Sequence, residues 1–528
     1  MAPRVLVADD LSAEGVRIMR DAGLEVDVKV GLKPEELEAA VGQYDALAVR
    51  SATKVTAKVL EKAARLKVVG RAGVGVDNVD LPAATRRGVV VMNTPGGSAV
   101  TVAELTLAMM LALSRHIAQA TASIRAGKWE KKRFQGHELA GKTLGVVGIG
   151  NIGSVVVERC RALRMRVVAY DPFISAEAAG RLGVELVTLE EIWRQSDVVS
   201  LHVPLTDQTR NLVNAQTLRA MRKGAFLVNC ARGGLVDEKA LAESLSAGHL
   251  AGAAMDVFEK EPVPADNPLL KLDNFICTPH IGASTEEAQT AVAVAIAEQL
   301  AAYLTQGVVQ NAVNMPSLPR EALERLGPYL TLVEKLGSLA GQLSPRGVQE
   351  VRVEYDGEIA EAPHQPLTAL VLKGFMQHFA DAPVNQVNAA AMAKERGIAV
   401  REGRAAAAHD YASLVTVTVR GEGGEAVAAG TVFGKQDPRI VRVNQIHLEA
   451  IPEGEIILCE NDDAPGVVGN IGTALGQAGV NIARISLGRR PDRSAAFSLI
   501  NVDSPPSPEA MERLRKIPHV RRVRTIKL

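Results

Sequence analysis

Cysteine is scarce in this chain. Its 528 residues include four cysteines, which lie far apart and form no Cys-x-x-Cys pair: Cys160, Cys230, Cys277 and Cys459. A disulfide framework or a zinc site needs cysteines in close, paired spacing, so neither is expected. The pattern is typical of a protein from a reducing compartment, and we expect a cytoplasmic location and no bound metal.

Net charge and long hydrophobic runs are also missing. Lysines and arginines number 60, as do aspartates and glutamates, so the formal net charge is zero. Nucleic-acid binding needs a basic surface, and no nucleic-acid partner is expected. The most apolar stretch, residues 105–113, is far shorter than the roughly 20 residues that cross a bilayer. The chain begins directly in a predicted strand, so neither a signal peptide nor a membrane partner is expected.

One glycine-rich stretch has the pattern of a dinucleotide-binding turn. An apolar run at residues 144–147 precedes Gly148, Gly150 and Gly153, and a helix-like segment follows. The first glycine permits a tight turn, the second lets a pyrophosphate approach the backbone, and the third lets the helix pack on the strand. The helix N-terminus adds free N–H groups and a partial positive charge, which favour phosphate binding.

An acidic residue after the next apolar run indicates which dinucleotide binds. Residues 166–170 form that run, and Asp171 ends it. A carboxylate here suits the hydroxyls of an adenosine ribose and disfavours a 2′-phosphate, so the cofactor is predicted to be NAD. Two other glycine-rich stretches, at residues 73–75 and 469–472, lack part of the pattern, and both are predicted to be structural turns.

The order of predicted elements indicates two α/β domains in the first part of the chain. Strands alternate with helices over residues 1–98 and 99–283, which predicts two doubly wound parallel sheets. The first domain, completed by residues 284–317, lacks a phosphate-binding turn and is predicted to bind substrate. The second contains the dinucleotide turn. One long helix over residues 101–125 should join the two domains.

The second part of the chain has a different sequence pattern. Pro316, Pro319 and Pro328 indicate a linker, and residues 318–450 alternate in places as strands do, which predicts a separate α+β domain. Residues 451–528 follow a strand-helix-strand-strand-helix-strand order, which is that of a ferredoxin-like fold.

Chemically suited side chains lie at or just after the last apolar runs of the cofactor domain. Oxidation of a 2-hydroxy acid needs a base for the hydroxyl proton, a cation for the carboxylate and a group that orients the base. His280 suits the first role, Arg232 the second and Glu261 the third. Asp256 and Glu259 are rival acids, and spacing alone does not choose among them.

Longer motifs run through the same domain. They are Gly148-Ile-Gly-Asn-Ile-Gly153, Tyr170-Asp-Pro172, Asn229-Cys-Ala-Arg-Gly-Gly-Leu-Val-Asp237, Met255-Asp-Val-Phe-Glu-Lys-Glu-Pro262 and Thr278-Pro-His-Ile-Gly-Ala-Ser284. In these motifs the chain resembles the D-isomer-specific 2-hydroxyacid dehydrogenases, and within them the long-chain branch that acts on 3-phospho-D-glycerate. The resemblance implies two Rossmann-like domains, an intervening α+β domain and a C-terminal ACT domain.

The resemblance also implies roles for individual residues. The family's catalytic arginine, glutamate and histidine fall on Arg232, Glu261 and His280. Its cofactor contacts fall on Gly148, Gly150, Asn151, Ile152, Gly153, Asp171, Cys230, Ala231, Arg232, Asp256, His280, Ile281, Gly282 and Ala283. Its substrate contacts fall on Arg50, Ser51, Gly73, Val74, Arg232 and His280.

The C-terminal segment resembles an ACT domain, a small module that senses amino acids. Asp463 falls in its ligand loop and Asn481 at the start of its second strand. A carboxylate can pair with an α-ammonium group, and an asparagine amide can bond either end of a zwitterion. Alternatively, Asp463 caps the helix that begins near Gly466.

The implied function is NAD-dependent oxidation of 3-phospho-D-glycerate to 3-phosphooxypyruvate, the entry to serine synthesis, with L-serine as effector and a homotetramer as the assembly. A reductase for glyoxylate or hydroxypyruvate and an NAD(H)-sensing corepressor are the alternatives. The ACT-like tail speaks against the second of these.

The roles of two sets of basic residues stay open. Arg50 is the first candidate to hold the substrate phosphate, with Lys131, Lys132 and Arg133, reaching in from a neighbouring subunit, as the second. Lys435, Arg439 and Arg442 are plausible anion ligands in the intervening domain.

Overall fold

The computed structural model of the protein describes residues 2–318, 320–380, 383–405, 410–434, 436–490 and 492–528. Four β-sheets organise these residues, one within each of the four predicted segments. The limits of the domains themselves stay a prediction.

The first sheet has five parallel strands, β1 to β5: Arg4–Val7, Glu25–Val28, Ala46–Val49, Val68–Arg71 and Val90–Met92. They lie in the order β2-β1-β3-β4-β5. Helices α1 to α4 connect them: Ala13–Asp21, Pro34–Ala40, Ala57–Lys62 and Leu81–Arg86. The central strands are buried on both faces, as the continuous apolar runs predict for a parallel sheet.

The segment between the first two sheets is a broken helix, α5 Ala99–Ser114 and α6 Ile117–Arg125. The prediction of one long helix is wrong, because His116 takes a left-handed conformation (φ 55°) and the two axes bend by 63°. In a left-handed residue the backbone hydrogen-bond ladder cannot continue. Within the described residues no single helix is long and apolar enough to cross a membrane; only the bent pair passes that test.

The second sheet has seven parallel strands, β6 to β12: Thr143–Val147, Arg166–Tyr170, Glu185–Leu186, Val198–Leu201, Phe226–Asn229, Gly252–Met255 and Phe275–Cys277. Their order is β12-β11-β10-β9-β6-β7-β8. Helices α7 to α11 connect them: Asn151–Ala162, Ala176–Arg181, Leu189–Gln195, Ala215–Ala220 and Glu238–Ser246. Helix α12, Glu286–Gln306, then returns to the first sheet and packs beside α1. Two doubly wound sheets are therefore confirmed.

The third sheet is mixed. Strands β13 to β18 are Arg346–Gly357, Ala399–Ala405, Ser413–Glu422, Gly424–Phe433, Asp437–Val443 and Ile446–Ala450, in the order β14-β13-β15-β16-β17-β18. Helices α13 to α15 are Arg320–Leu343, His364–Met376 and Ala389–Glu395. The predicted hairpin is present, with Gly421 opposite Gly424.

The linker prediction fails at one proline. Pro328 lies inside helix α13, whereas Pro319 lies outside the described residues. Proline normally breaks a helix because it removes a backbone donor. Here the apolar face of α13, which includes the buried Leu332 and Leu336, packs into the core of the domain and offsets that loss.

The fourth sheet has the predicted ferredoxin-like form. Strands β19 to β22 are Glu455–Asn461, Ile482–Arg489, Ala496–Val502 and Val520–Lys527, in the order β20-β21-β19-β22. Helices α16 and α17 are Val467–Gln477 and Pro508–Arg515. Residues 469–472 therefore lie within a helix, and the prediction of a structural turn there is wrong, since Ile471 packs into the core of this domain.

Candidate active site

The glycine turn after β6 has the geometry of a phosphate cradle. Gly148 has φ 91°, and a Cβ atom there would lie 2.7 Å from the carbonyl oxygen of His202. A Cβ atom at Gly153 would collide with the carbonyl oxygen of Gly148, so both positions require glycine. Gly150 faces open space immediately before α7. The free backbone and the helix N-terminus therefore fit a dinucleotide pyrophosphate.

Asp171 ties the glycine turn to the end of β7. Its Oδ2 accepts a hydrogen bond from the Ile149 N–H (3.0 Å), and its Oδ1 accepts one from the Phe173 N–H (2.9 Å). The carboxylate is thereby held beside the cradle, where the ribose of a bound dinucleotide would lie. Asn151, the first residue of α7, donates from its amide to the Pro95 carbonyl (3.1 Å) and links the turn to the loop after β5.

Two of the three predicted catalytic residues are in direct contact. The Nδ1 atom of His280 lies 2.7 Å from Oε2 of Glu261. The other carboxylate oxygen, Oε1, accepts the Phe258 N–H at 3.0 Å, so the glutamate is held from both sides. Both side chains remain accessible, with half of the His280 side chain exposed. The glutamate therefore fixes the imidazole and leaves Nε2 free to face a substrate.

Arg232 follows β10, whose neighbour β11 precedes Glu261, and His280 follows β12 on the far side of β11. Its loop is shaped by the buried Asn229, whose amide donates to the Arg232 carbonyl (2.9 Å) and accepts from the Ala231 N–H (3.0 Å). The Nε atom of Arg232 lies 3.2 Å from Asp77, in the loop after β4 of the first sheet. A Cβ atom at Gly75 would collide with the Arg232 guanidinium, so this cation reaches across the cleft between the two sheets.

Asp256, predicted as a cofactor contact, is 1 % exposed. Its Oδ1 accepts from the Thr278 hydroxyl (2.5 Å) and the Ile281 N–H (2.8 Å), and its Oδ2 accepts from the Gly282 N–H (2.8 Å). The carboxylate thus holds the Thr278 hydroxyl and the backbone of Ile281 and Gly282, on either side of His280.

Cys230 and Ala231 are also buried, and they can offer a ligand only their backbone. The Cys230 thiol donates to the Met109 sulfur at 3.5 Å, and burial raises the pKa of the thiol to about 12. Ile281 and Ala283, in contrast, are exposed, and Ile152 is half-buried.

The predicted substrate loops converge at the carboxyl ends of the first sheet. Asp9 accepts from the Arg50 N–H (2.6 Å) and from the backbone N–H and hydroxyl of Thr53, which fixes the loop that carries Arg50 and Ser51. The Gly73 N–H donates to the Thr94 hydroxyl at 2.7 Å. The structure therefore presents two hydrogen-bonded loops opposite the sheet that precedes His280.

Sequence reasoning missed residues that shape this cleft. Asp9 and Thr94 are buried polar residues that hold loops distant in sequence, whereas the buried Asn229 holds the loop of Arg232 three residues away. Arg71 and Asp77 lie near Arg232 in space. The one local signal for Arg71 was an arginine ending a buried apolar strand, β4.

Among the described residues, the other basic candidates do not join the site within one chain. Lys131, Lys132 and Arg133 form a short 3-10 turn on the surface, and Arg133 pairs with Glu130 (3.4 Å) and Asp273 (3.1 Å). In the third domain, Arg439 pairs with Asp437 and Glu449. Arg442 donates to the Thr416 hydroxyl at 3.5 Å, and Lys435 lies outside the described residues.

The two ACT-domain residues each have a partner from their own domain. Asp463 lies 3.4 Å from the Nε atom of Arg489, and the Asn481 amide donates to Asp503 at 2.7 Å. Helix α16 begins after Gly466 (φ 87°) without a side-chain cap, so the alternative in which Asp463 caps it is wrong.

A glycine cradle at the end of one parallel sheet, with a histidine–glutamate pair and an arginine on its neighbouring loops, defines an NAD-dependent dehydrogenase. The comparison with protein families agrees. The NAD-binding domain of the D-isomer-specific 2-hydroxyacid dehydrogenases matches residues 107–282, the intervening domain of D-3-phosphoglycerate dehydrogenase matches 325–444, and the ACT domain matches 456–519.

Similar curated proteins span almost the whole chain. D-3-phosphoglycerate dehydrogenase from Archaeoglobus fulgidus is 45% identical over 97% of this chain and 98% of its own, and that from Methanocaldococcus jannaschii is 43% identical over 99% and 100%. The chain belongs to the D-3-phosphoglycerate dehydrogenase family. Among solved structures, the NAD⁺-bound 3-phosphoglycerate dehydrogenase of Entamoeba histolytica covers 60% of this chain and all of its own, with 29% identity and a TM-score of 0.51.

Proposed function

We propose that this enzyme oxidises 3-phospho-D-glycerate to 3-phosphooxypyruvate with NAD, as the first step of serine synthesis, with Arg232, Glu261 and His280 as its catalytic residues. The observation that carries this assignment is the 2.7 Å contact between His280 and Glu261 on the loops beside the glycine cradle. Membership in the family supports the substrate, and the geometry supports the proposed roles.

His280 is the base in this reaction. Its Nε2 takes the proton of the C2 hydroxyl, while Nδ1 donates to Glu261, so the charge that forms on the imidazole has a carboxylate partner. NAD, when bound, accepts the hydride that leaves C2. The Phe258 N–H keeps Glu261 in place during the transfer.

Arg232 binds the substrate carboxylate. A guanidinium presents a planar fork that matches two carboxylate oxygens. Asp77, in the loop after β4, contacts Nε of this side chain at 3.2 Å, so a bound carboxylate would lie between the two domains. The loops at Arg50–Ser51 and Gly73–Val74 form the opposite wall, and the proposed cofactor contacts line the other side.

L-serine regulation is proposed at the ACT domain, with Asp463 and Asn481 as ligands. Asp463 is mostly buried and paired with Arg489, and its carboxylate can exchange this partner for an α-ammonium group. Asn481 lies exposed at the edge strand β20, where a ligand can reach it.

A cytoplasmic homotetramer is the proposed assembly. Helices α5 and α6 and the loop after them expose large apolar side chains on one chain, namely Val100, Leu111, Ile117, Ile124 and Trp129. Apolar surface of this extent is typical of a subunit contact.

Initial rates on 3-phospho-D-glycerate with NAD, with and without L-serine, test the function. We expect turnover and a serine-dependent decrease in rate. A panel that includes glyoxylate and hydroxypyruvate with NADH tests the specificity, and a strong preference for the unphosphorylated acids would overturn the substrate. Tight NADH binding without turnover on any of these acids would favour a corepressor instead.

A further inference from the structure

A cavity lies where the segment after α12 meets the third domain, outside both the catalytic cleft and the ACT domain. Its volume is about 470 Å³. One wall is the segment at residues 312–317, and the other is formed by the start of α14 and the end of β14. A cavity of this size can hold a small metabolite.

Part of the lining offers hydrogen-bond donors. Helix α14 begins at His364 without a side-chain cap, and the N–H groups of its first turn have no partner within the helix. Arg404 lines the same cavity, and its guanidinium has neither a hydrogen bond nor an ion pair with any residue that the structure describes. A helix N-terminus and a guanidinium together suit a carboxylate.

His364 adds a buried acceptor. The residue is 3 % exposed, and its ring packs on Tyr355 with the centroids 4.5 Å apart. Burial first, and then the charge of Arg404, lower the pKa of His364, so the ring is neutral at neutral pH. Since Nε2 donates to the Ile359 carbonyl (3.3 Å), Nδ1 carries the lone pair, and Nδ1 has no partner among the described residues.

Glu402 supplies a second acceptor on the same cavity. Its Oε1 accepts from the Thr368 hydroxyl at 2.5 Å, and that hydroxyl accepts in turn from the Tyr355 hydroxyl at 2.9 Å. No partner is found for the other carboxylate oxygen, Oε2, within the described ranges. The fully buried Tyr355 therefore holds both acceptors in place, one by ring packing and one through Thr368.

The charges of the lining select the class of ligand. A phosphate dianion would face the like charge of Glu402, whereas a zwitterion meets donors at its carboxylate and acceptors at its ammonium group. We propose that this cavity is a second effector site, which binds a free α-amino acid and acts on the substrate loops. The carboxylate binds Arg404 and the first turn of α14, and the ammonium group binds Glu402 and Nδ1 of His364.

The wall at residues 312–317 connects this site to the substrate cleft. The Asn314 side chain bonds to the backbone of β5 on both of its polar atoms, at 2.9 Å each. The carbonyl of Asn311 accepts from the Asn93 N–H at 3.2 Å, and the Asn93 amide donates to the Val74 carbonyl at 2.5 Å. Val74 is a proposed substrate contact, so a ligand held against this wall is coupled to substrate binding by direct hydrogen bonds.

Equilibrium dialysis of the full-length enzyme with radiolabelled glycine tests the site, because glycine has both charged ends and no side chain. The background is Asn481→Ala, which removes one ligand of the proposed ACT-domain site. In this background we expect Glu402→Gln and Arg404→Gln each to weaken glycine binding about 10- to 100-fold, from the loss of a charge-assisted hydrogen bond. No glycine binding in the background, or equal binding in the background and both variants, would overturn the site.

A matched control lies on the same strand. Arg401 pairs with Glu350 at 2.9 Å, and its side chain points to the other face of the sheet from Glu402 and Arg404. Arg401→Gln should therefore bind glycine as the background does. Acetate and ethylammonium, which carry one charged end each, should displace glycine at least about tenfold less effectively. Acetate that displaced glycine equally well would show a simple anion site and would overturn the assignment to an amino acid.

The coupling has a kinetic readout. Saturating glycine should change KM for 3-phospho-D-glycerate at least about fivefold in the Asn481→Ala background and leave it unchanged when Arg404→Gln is added. An unchanged KM at full glycine occupancy would refute the coupling. Glycine binding is measured without substrate, so the site stands or falls independently of the proposed function.

Discussion

Replacing Asp256 with asparagine tests how the loop around His280 is held. The carboxylate is buried and accepts three hydrogen bonds, from the Thr278 hydroxyl and from the N–H groups of Ile281 and Gly282. Asparagine has nearly the same shape, but its amide nitrogen can only donate. If its oxygen keeps the first two donors, the nitrogen then faces the Gly282 N–H.

The magnitude follows from these three bonds. One buried N–H without an acceptor costs about 1–3 kcal/mol, and the two remaining bonds lose the strengthening that a charged acceptor provides. Burying a neutral amide costs less than burying a carboxylate, and this difference offsets part of the loss. We expect the free energy of unfolding to fall by about 3 kcal/mol in total. Because His280 lies between Thr278 and Ile281, a shift of about 1 Å in the loop should lower kcat/KM about 100-fold.

The assay combines urea unfolding with steady-state kinetics on 3-phospho-D-glycerate. The control is Asp266→Asn, an exposed acid-to-amide change in the same domain, which should match the parent in both measurements. If Asp256→Asn behaved like that control, the idea that this carboxylate organises the catalytic loop would be refuted. A loss of stability at unchanged kcat/KM would show that the loop is held by other contacts.

Three further outcomes are expected. His280→Ala should abolish hydride transfer while NADH still binds in a fluorescence titration, and near-normal turnover would disprove the role of the base. Asp171→Ala should weaken NAD binding about tenfold in calorimetry, from the loss of hydrogen bonds to the ribose; an unchanged Kd would contradict the ribose contact. Burial lowers the pKa of His202 to about 4, from an ordinary value near 6.5. Between about pH 4 and 6.5 this histidine is therefore protonated in the unfolded chain but neutral in the folded protein. The contribution of the neutral His202 to stability is present above about pH 6.5 and is lost as the pH falls toward about 4. Between about pH 7.5 and 5 the free energy of unfolding of the parent should therefore fall by about 2 kcal/mol more than that of His202→Gln. The same pH dependence of unfolding in both proteins would contradict this prediction.

Local patterns in the sequence determined the architecture. The turn at Gly148–Gly153 could be predicted because its glycine spacing is a local pattern, and one of its constraints, the contact between Gly153 and the Gly148 carbonyl, is local too. Parallel strands read as continuous apolar runs because both faces are buried, and the ferredoxin-like order follows from the sequence of strands and helices alone. The positions of Arg232, Glu261 and His280 after neighbouring strands follow from the same logic.

Contacts between distant segments decided what the sequence could not. A left-handed His116 broke the helix predicted over residues 101–125, and packing in the core let Pro328 remain inside a helix. Asp256 came to hold the loop around His280, and Arg71 and Arg232 came to lie against two glycines of one loop, Gly73 and Gly75. These buried polar groups are paired with residues from other segments, which meet only when separate strand ends come together at one edge of a sheet. Because an unpaired buried polar group is costly, its partner depends on the whole fold and not on its neighbours in sequence.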